Sequence, residues 1–142
     1  MKFPAHPRST GSRFRLLYLG TDLELIAAIR QVLTEPDCRL LACSDRESAI
    51  LFLRSEIPYD LLLIDLEWRG KEGLKLARVT HSLRHRKRMP IILVTTRKLS
   101  RDMKTLARKA GVNECVTKTP DIGAVSEAIK RVMVMSDERA GN

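Results

Sequence analysis

The fold of this chain is decided by the stretch Leu61-Leu62-Leu63-Ile64-Asp65, which is followed by Leu66-Glu67-Trp68-Arg69-Gly70. Four consecutive apolar residues bounded by a glycine-containing loop indicate a buried strand, and here that strand ends on an acid. In an open α/β sheet, ligands bind at the carboxyl ends of the strands. Asp65 is therefore a candidate reaction centre.

Strands and amphipathic helices alternate along the rest of the chain, which predicts βαβ units around a parallel sheet. The predicted strands are Phe14 to Leu19, Arg39 to Cys43, Asp60 to Asp65, Pro90 to Thr95 and Val112 to Thr117. The predicted helices span about Asp22 to Leu33, Ser44 to Ser55, Glu72 to His85, Ser100 to Ala110 and Asp121 to Met135. We expect an α/β, three-layer, doubly wound sandwich with a flavodoxin-like strand order of 2-1-3-4-5.

Length and composition limit the possible classes of protein. A chain of 142 residues corresponds to one domain, which we place at residues 13–135, with disordered tails at 1–12 and 136–142. No apolar run approaches the ~20 residues of a membrane span, and the N-terminus lacks the apolar core of a secretory signal, so we expect a cytoplasmic protein. The three cysteines, Cys38, Cys43 and Cys115, lack metal-ligand spacing and are expected to be reduced thiols.

The predicted strand order brings three functional groups to one edge of the sheet. Strands one and three are neighbours, so the loops that follow them meet, and Thr95 and Lys118 lie at the ends of strands four and five. A carboxylate, a hydroxyl and an ammonium in this arrangement can serve phosphoryl transfer. Asp65 would attack phosphorus, Thr95 would bind a phosphoryl oxygen, and Lys118 would neutralise the developing charge.

Three segments, Tyr59 to Asp65, Pro90 to Thr96 and Ala110 to Lys118, together resemble the receiver domain of two-component response regulators. The resemblance covers about Arg13 to Met135. It implies that Asp65 is the phosphoacceptor, Thr95 the switch hydroxyl and Lys118 the phosphate-binding lysine. It also implies a stand-alone, non-enzymatic receiver in phosphorelay signalling, with a histidine kinase or phosphotransfer protein as donor and a separate effector protein for output.

The sequence departs from this family at the expected Mg²⁺ site. Receivers carry an acidic pair after strand one, whereas this chain has Gly20 and Thr21. Asp22 follows one place later and is also a suitable N-cap, while Glu67 could supply a replacement carboxylate beside Asp65. Because Mg²⁺ prefers octahedral oxygen ligation, we expect weak or lost binding by Asp65, Glu67 and Asp22, tightened by introducing Asp at positions 20 and 21.

Positive charge is concentrated in one half of the chain. From Arg69 to Lys109 there are 14 basic residues against two acids, a net charge of +12 in a chain whose total is +9. Helical spacing gives one stripe on helix four, another on helix three and a cluster between them: Arg97, Arg101, Lys104 and Arg108; Lys71, Lys75 and Arg78; and Arg84, Arg86, Lys87 and Arg88. If these merge into one surface, the alternative function is a phosphorylation-independent pseudo-receiver that binds an acidic protein or nucleic acid. A merely solvated face remains open.

Overall fold

The structure of the protein is a computed structural model, in which residues 14–33, 38–69, 71–118 and 122–141 are described. Five parallel strands form one sheet in the order β2-β1-β3-β4-β5, which confirms the predicted topology. The strands are β1 (Phe14–Leu19), β2 (Cys38–Cys43), β3 (Leu61–Asp65), β4 (Ile91–Thr95) and β5 (Glu114–Thr117). The predicted tail at 1–12 lies outside the described residues.

The register of the sheet aligns the ends of the central strands. Asp65 of β3 pairs with Val94 of β4, and Thr95 pairs with Thr117 of β5. Every residue of β3 and β4 is buried, because helices cover both faces of a parallel sheet and leave no solvated side to alternate with. The carboxyl ends of β1, β3, β4 and β5 therefore meet at one edge.

Five helices connect and cover the strands: α1 (Leu23–Val32), α2 (Arg46–Arg54), α3 (Lys71–Ser82), α4 (Arg101–Lys109) and α5 (Gly123–Gly141). The sheet separates two apolar clusters. Leu25 and Ile29 of α1 pack with Ile129 of α5 on one face, while Leu53 of α2 and Leu76 of α3 pack on the other with α4. The three-layer sandwich is confirmed.

Three local predictions about helices were wrong. The segment after Asp65, predicted as a loop, forms a helical turn at Leu66–Arg69. The third helix ends at Ser82, and a 3₁₀ turn, Arg84–Arg86, occupies the rest of the predicted span. The last helix continues to Gly141 rather than ending near Met135, because the intervening residues include good helix formers and no proline. None of the helices in the described part of the chain is long and apolar enough to cross a membrane.

Candidate functional site

Asp65, the last residue of β3, lies at the carboxyl edge of the sheet and is 2% exposed. Its Oδ2 accepts hydrogen bonds from the Tyr18 hydroxyl at 2.8 Å and from Lys118 Nζ at 2.9 Å. Its Oδ1 accepts one from the backbone N–H of Glu67 at 3.1 Å, within the helical turn after β3. Buried carboxylates require such partners, so the neighbouring elements fix the position of this side chain.

Lys118 follows β5 directly, and its side chain is 10% exposed. Its backbone N–H donates to the Thr95 carbonyl at 2.6 Å, which continues the pairing of β5 with β4. Its ammonium lies 2.9 Å from Asp65 Oδ2, 3.0 Å from Asp22 Oδ2 and 3.9 Å from Glu67 Oε1. Burial opposes the charge of Lys118, but hydrogen bonds to Asp65 and Asp22 outweigh it and raise the pKa above its usual value. One cation thus serves three carboxylates.

Asp22 has two roles in the structure. It is the N-cap of α1, as predicted, because its Oδ1 accepts from the backbone N–H of Leu25 at 3.0 Å. Its Oδ2 forms the ion pair with Lys118. Burial raises the pKa of Asp22, but the Leu25 N–H and the Lys118 ammonium more than offset this, so the net pKa is lowered.

Tyr18 is a site residue that the sequence analysis missed. It is fully buried in β1, and its hydroxyl donates to Asp65 and accepts from the backbone N–H of Asp22 at 3.3 Å. Burial and the hydrogen bond to Asp65 raise the pKa of the phenol strongly, so it stays protonated. A sequence signal existed, since a tyrosine in an aliphatic strand must find a partner for its hydroxyl.

Gly20 makes room for this phenol. A Cβ at Gly20 would lie 2.4 Å from the Tyr18 hydroxyl oxygen and 2.8 Å from Asp65 Cβ, both too close for real atoms. The expectation that Asp at positions 20 and 21 would tighten metal binding therefore needs a correction. While Tyr18 holds its place, no side chain fits at position 20.

The hydrogen bond that the Thr95 hydroxyl donates does not go to Asp65. The hydroxyl donates instead to the carbonyl of Arg97 at 2.6 Å, so its one proton is already used. Thr95 lies at the predicted edge of the sheet and is 2% exposed, and it positions Lys118 through its own carbonyl. The next residue, Thr96, donates its backbone N–H to Glu67 Oε1 at 2.8 Å, so Glu67 ties the turn after β3 to the loop after β4.

The residues expected to hold Mg²⁺ do not fit that ion in this arrangement. Asp22, Asp65 and Glu67 converge on the Lys118 ammonium rather than on an open position between them. Within the described part of the chain, no group of three or more His, Cys, Asp or Glu side chains is arranged to hold a metal. A cleft of about 240 Å³ does give access to the site from solvent, between Asp22, Thr96 and Lys118.

The predicted single basic surface is wrong in two respects. Arg86 is 4% exposed, because it turns inward to bind backbone carbonyls. On α4, Leu106 lines a groove facing α3, whereas Lys104 and Arg108 lie near Cys115 of β5, where they partly offset the rise in the thiol's pKa caused by burial. The basic stripe of α3 therefore borders the groove on one side of α4, whereas Lys104 and Arg108 of α4 lie on its other side, toward β5.

A family model described as the response regulator receiver domain matches residues 21–130. Among solved structures, a CheY-like response regulator receiver domain protein from Methanospirillum hungatei JF-1 has a TM-score of 0.74 at 21% identity, covering 90% of this chain and 99% of that one. A response regulator from Thermotoga maritima has a TM-score of 0.72 at 18% identity, covering 87% and 99%. Another from that organism, TrrA in complex with Mg²⁺-BeF, has a TM-score of 0.66 at 24% identity, covering 84% and 98%. No curated protein sequence matches the chain.

Proposed function

Because the chain belongs to the response regulator receiver family, we propose that it acts in two-component signalling and accepts a phosphoryl group on Asp65. The observation that carries this proposal is the contact of 2.9 Å between Lys118 Nζ and Asp65 Oδ2 at the edge of the sheet. It places a fixed positive charge beside a buried carboxylate, as phosphoryl transfer requires.

In the proposed step, Asp65 is the nucleophile. Oδ1 is the better candidate oxygen, because it accepts only the Glu67 N–H, whereas Oδ2 accepts from two donors. An O–P bond forms at Asp65 while the P–N bond of a phosphohistidine donor breaks, and the electron pair leaves with the donor nitrogen. Lys118 keeps its proton and pairs with the phosphoryl oxygens.

Thr95 would contribute after a rotation. Its hydroxyl would leave the Arg97 carbonyl and donate to a phosphoryl oxygen, which would release the loop that follows β4. We propose that a histidine kinase or phosphotransfer protein donates the phosphoryl group. A separate effector protein in the cytoplasm would respond to the change in this loop. The domain would then be a phosphoacceptor and not an enzyme acting on other substrates.

Intact-mass analysis after incubation with phosphoramidate tests the phosphoacceptor proposal. We expect the mass of one phosphoryl group, lost on acid or hydroxylamine treatment and absent in Asp65→Asn. Asp60→Asn is the matched control, because Asp60 lies immediately before the opposite end of the same strand, where its Oδ2 accepts from the backbone N–H of Arg15. An adduct that persists in Asp65→Asn would place the modification elsewhere.

A second candidate function is a phosphorylation-independent binding module for an acidic protein. The observation that favours it is a groove of about 160 Å³ between α3 and α4. Basic side chains of α3 border this groove over an apolar floor, as its lining shows: Lys71, Lys75 and Arg78, with Leu74, Leu106 and Ala110. An acidic segment with an apolar side chain matches both features, whereas nucleic acid would use the charge alone.

Charge reversal on the two sides of α4 tests this candidate. Lys75→Glu with Arg78→Glu should abolish binding to polyglutamate at low salt, while Arg101→Glu with Lys104→Glu, on the other side of α4, should leave it nearly unchanged. Equal losses from both pairs would indicate a diffuse charge effect. Retention on an oligonucleotide column but not on polyglutamate would favour the nucleic-acid alternative.

A further inference from the structure

The position where the family carries its acidic pair is closed in this chain by one aromatic side chain. Tyr18 reaches from β1 to the sheet edge, and its hydroxyl lies against Gly20 and Asp65. Gly20 cannot move aside easily, because its backbone N–H donates to the Cys43 carbonyl at 3.0 Å. The tyrosine and the glycine are therefore matched in size, since the ring occupies the volume that a Cβ at position 20 would need.

The carboxylate oxygens at this edge already have donors. Asp65 Oδ2 accepts from Tyr18 and Lys118, Asp22 Oδ2 pairs with Lys118, and Asp22 Oδ1 caps α1. Glu67 Oε1 accepts from the backbone N–H of Thr96. A divalent ion would have to displace these donors, including the Lys118 ammonium, which lies 2.9 Å from Asp65 and 3.0 Å from Asp22.

We propose that the Tyr18 hydroxyl and the Lys118 ammonium together replace the divalent cation of the family, so that Asp65 is held in position for phosphorylation without a metal ion. The hydroxyl and the ammonium fix the same oxygen of Asp65, Oδ2, and leave the other oxygen, Oδ1, with the Glu67 backbone N–H as its one hydrogen-bond donor. The claim about metal rests on the geometry alone. The claim about reactivity rests also on the proposed function, namely that Asp65 accepts a phosphoryl group.

Direct metal titration tests the first claim independently of phosphorylation. Mn²⁺, followed by the loss of the free-ion electron paramagnetic resonance signal, should bind the unmodified protein no tighter than the millimolar range. Binding in the low micromolar range, lost in Asp65→Asn but not in Asp60→Asn, would overturn the proposal.

Restoring the acidic pair tests the role of Tyr18. Gly20→Asp with Thr21→Asp should destabilise the protein and add no Mn²⁺ affinity, because the new Cβ meets the phenol. Adding Tyr18→Val to this pair removes the closest contacts of the new Cβ and leaves the one to Asp65 Cβ at 2.8 Å, so it should recover part of the lost stability and tighten Mn²⁺ binding by about tenfold or more, equivalent to ~1.4 kcal/mol. If the double variant binds Mn²⁺ as tightly as the triple variant, Tyr18 does not close the position and the proposal fails. Should neither variant fold, the titration of the unmodified protein still decides the question.

Phosphorylation with phosphoramidate in Mg²⁺ and in EDTA tests the second claim. We expect rates of Asp65 modification that agree within about twofold, a difference of well under 1 kcal/mol in the barrier. A rate that collapses in EDTA would overturn metal independence and leave the proposed function intact. If no modification occurs in either condition, the proposed function fails, and the Mn²⁺ titrations alone still decide whether Tyr18 and Lys118 replace the metal.

Discussion

The basic groups of Lys118 at the carboxyl edge of the sheet and Arg86 at the amino edge are both largely withdrawn from solvent, and the two charges are compensated in different ways. At the carboxyl edge, the Lys118 ammonium faces the carboxylates of Asp22, Asp65 and Glu67. At the amino edge, the Arg86 guanidinium faces backbone carbonyls at the end of α2 and in the segment that follows. Burial dominates at Arg86 and lowers its pKa, whereas the carboxylates dominate at Lys118 and raise its pKa.

Arg86 is placed to hold one chain segment together. Its Nε donates to the Leu53 carbonyl at 2.9 Å, and its Nη2 donates to the carbonyls of Ser55 at 3.0 Å and Ile57 at 2.6 Å. Its guanidinium also lies 5.1 Å from the centroid of the Tyr59 ring, a cation–π contact. The last carbonyls of a helix lack intrahelical partners, so this arginine satisfies the end of α2 from outside the helix.

The comparison suggests how to distinguish a structural buried cation from a functional one. Neutral carbonyls need a donor permanently, so the arginine that binds them has no freedom to engage a ligand. Carboxylates beside a solvent-accessible cleft can instead exchange the ammonium for another charged group. We therefore expect stability to depend most on Arg86 and chemistry to depend most on Lys118.

Loss of Arg86 should have the largest effect on stability. Arg86→Met removes a guanidinium donor from the carbonyls of Leu53, Ser55 and Ile57 at once, so we expect the free energy of unfolding to fall by about 3 kcal/mol or more. Arg84→Met is the matched control, since Arg84 is exposed in the same 3₁₀ turn and should change stability by less than about 0.5 kcal/mol. Urea denaturation measures both, and equal losses would contradict a clamping role.

Loss of Lys118 should reduce the rate of phosphorylation more than the stability of the fold. Lys118→Met leaves Asp65 beside Asp22 without the ammonium, but the cleft admits water, so we expect a smaller stability loss of about 2 kcal/mol. Modification by phosphoramidate should slow by about 100-fold or more, the usual loss for one group that stabilises developing charge. If the folded Arg86→Met protein slows equally, the two edges are not separable in function.

The strands and the positions of Asp65 and Lys118 at strand ends could be predicted because they depend on local sequence, whereas the strand order was expected from the doubly wound pattern of successive βαβ units. Apolar runs separated by helical periodicity define the strands, and residues at strand ends meet at one edge whatever their side chains do. Arg86 could not be placed this way, because its burial depends on carbonyls about thirty residues earlier in the chain. A basic residue in a basic segment is most simply assigned to the surface.

Tyr18 and the Thr95 hydroxyl show the same limit within the site. The apolar run of strand one assigns Tyr18 to the sheet interior, but its hydroxyl contact with Asp65 depends on the absence of a Cβ at Gly20. The donation of the Thr95 hydroxyl to Arg97 depends on the path of the next loop. Three-dimensional packing decides both: the sequence indicates that the Tyr18 hydroxyl needs a partner, but no spacing identifies Asp65 or the Arg97 carbonyl as the partner.

Stability at alkaline pH tests how much the Tyr18 hydroxyl contributes to the carboxyl edge of the sheet. The folded-state pKa values of Tyr18 and Lys118 are both raised, so their stabilisation is complete below the unfolded values and is lost as pH rises through the folded ones. Between pH ~10 and ~11, urea titrations should show stability falling with pH, and Tyr18→Phe should flatten this slope by up to about 1.4 kcal/mol per pH unit. Tyr59→Phe at the amino edge is the comparison variant: burial raises the pKa of Tyr59 too, so this change should also flatten the slope, but by less, because no hydrogen bond to a carboxylate of the described residues adds to the effect of burial. A slope unchanged by Tyr18→Phe would mean that the phenol does not hold its proton through Asp65.

Loss of the Asp22 charge should change stability least, because its ion pair with Lys118 is partly exposed. The two roles of Asp22 can be separated by one conservative change. Asp22→Asn retains an oxygen for the Leu25 N–H and weakens only the pair with Lys118, in which the Asp22 side chain is 33% exposed. We expect a loss of about 0.5 kcal/mol at neutral pH, whereas Asp22→Ala should lose a further ~1 kcal/mol with the N-cap.

The pKa of Asp22 is lowered in the folded protein, so the ion-pair contribution is present above the ordinary pKa of an aspartate and disappears as pH falls through the folded value. The stability difference between the unmodified protein and Asp22→Asn should therefore shrink toward acid pH, while the difference between the Asn and Ala variants should persist. If all three proteins differ by constant amounts across that range, Asp22 acts only as a cap, and the charge on Lys118 is held by Asp65 and Glu67.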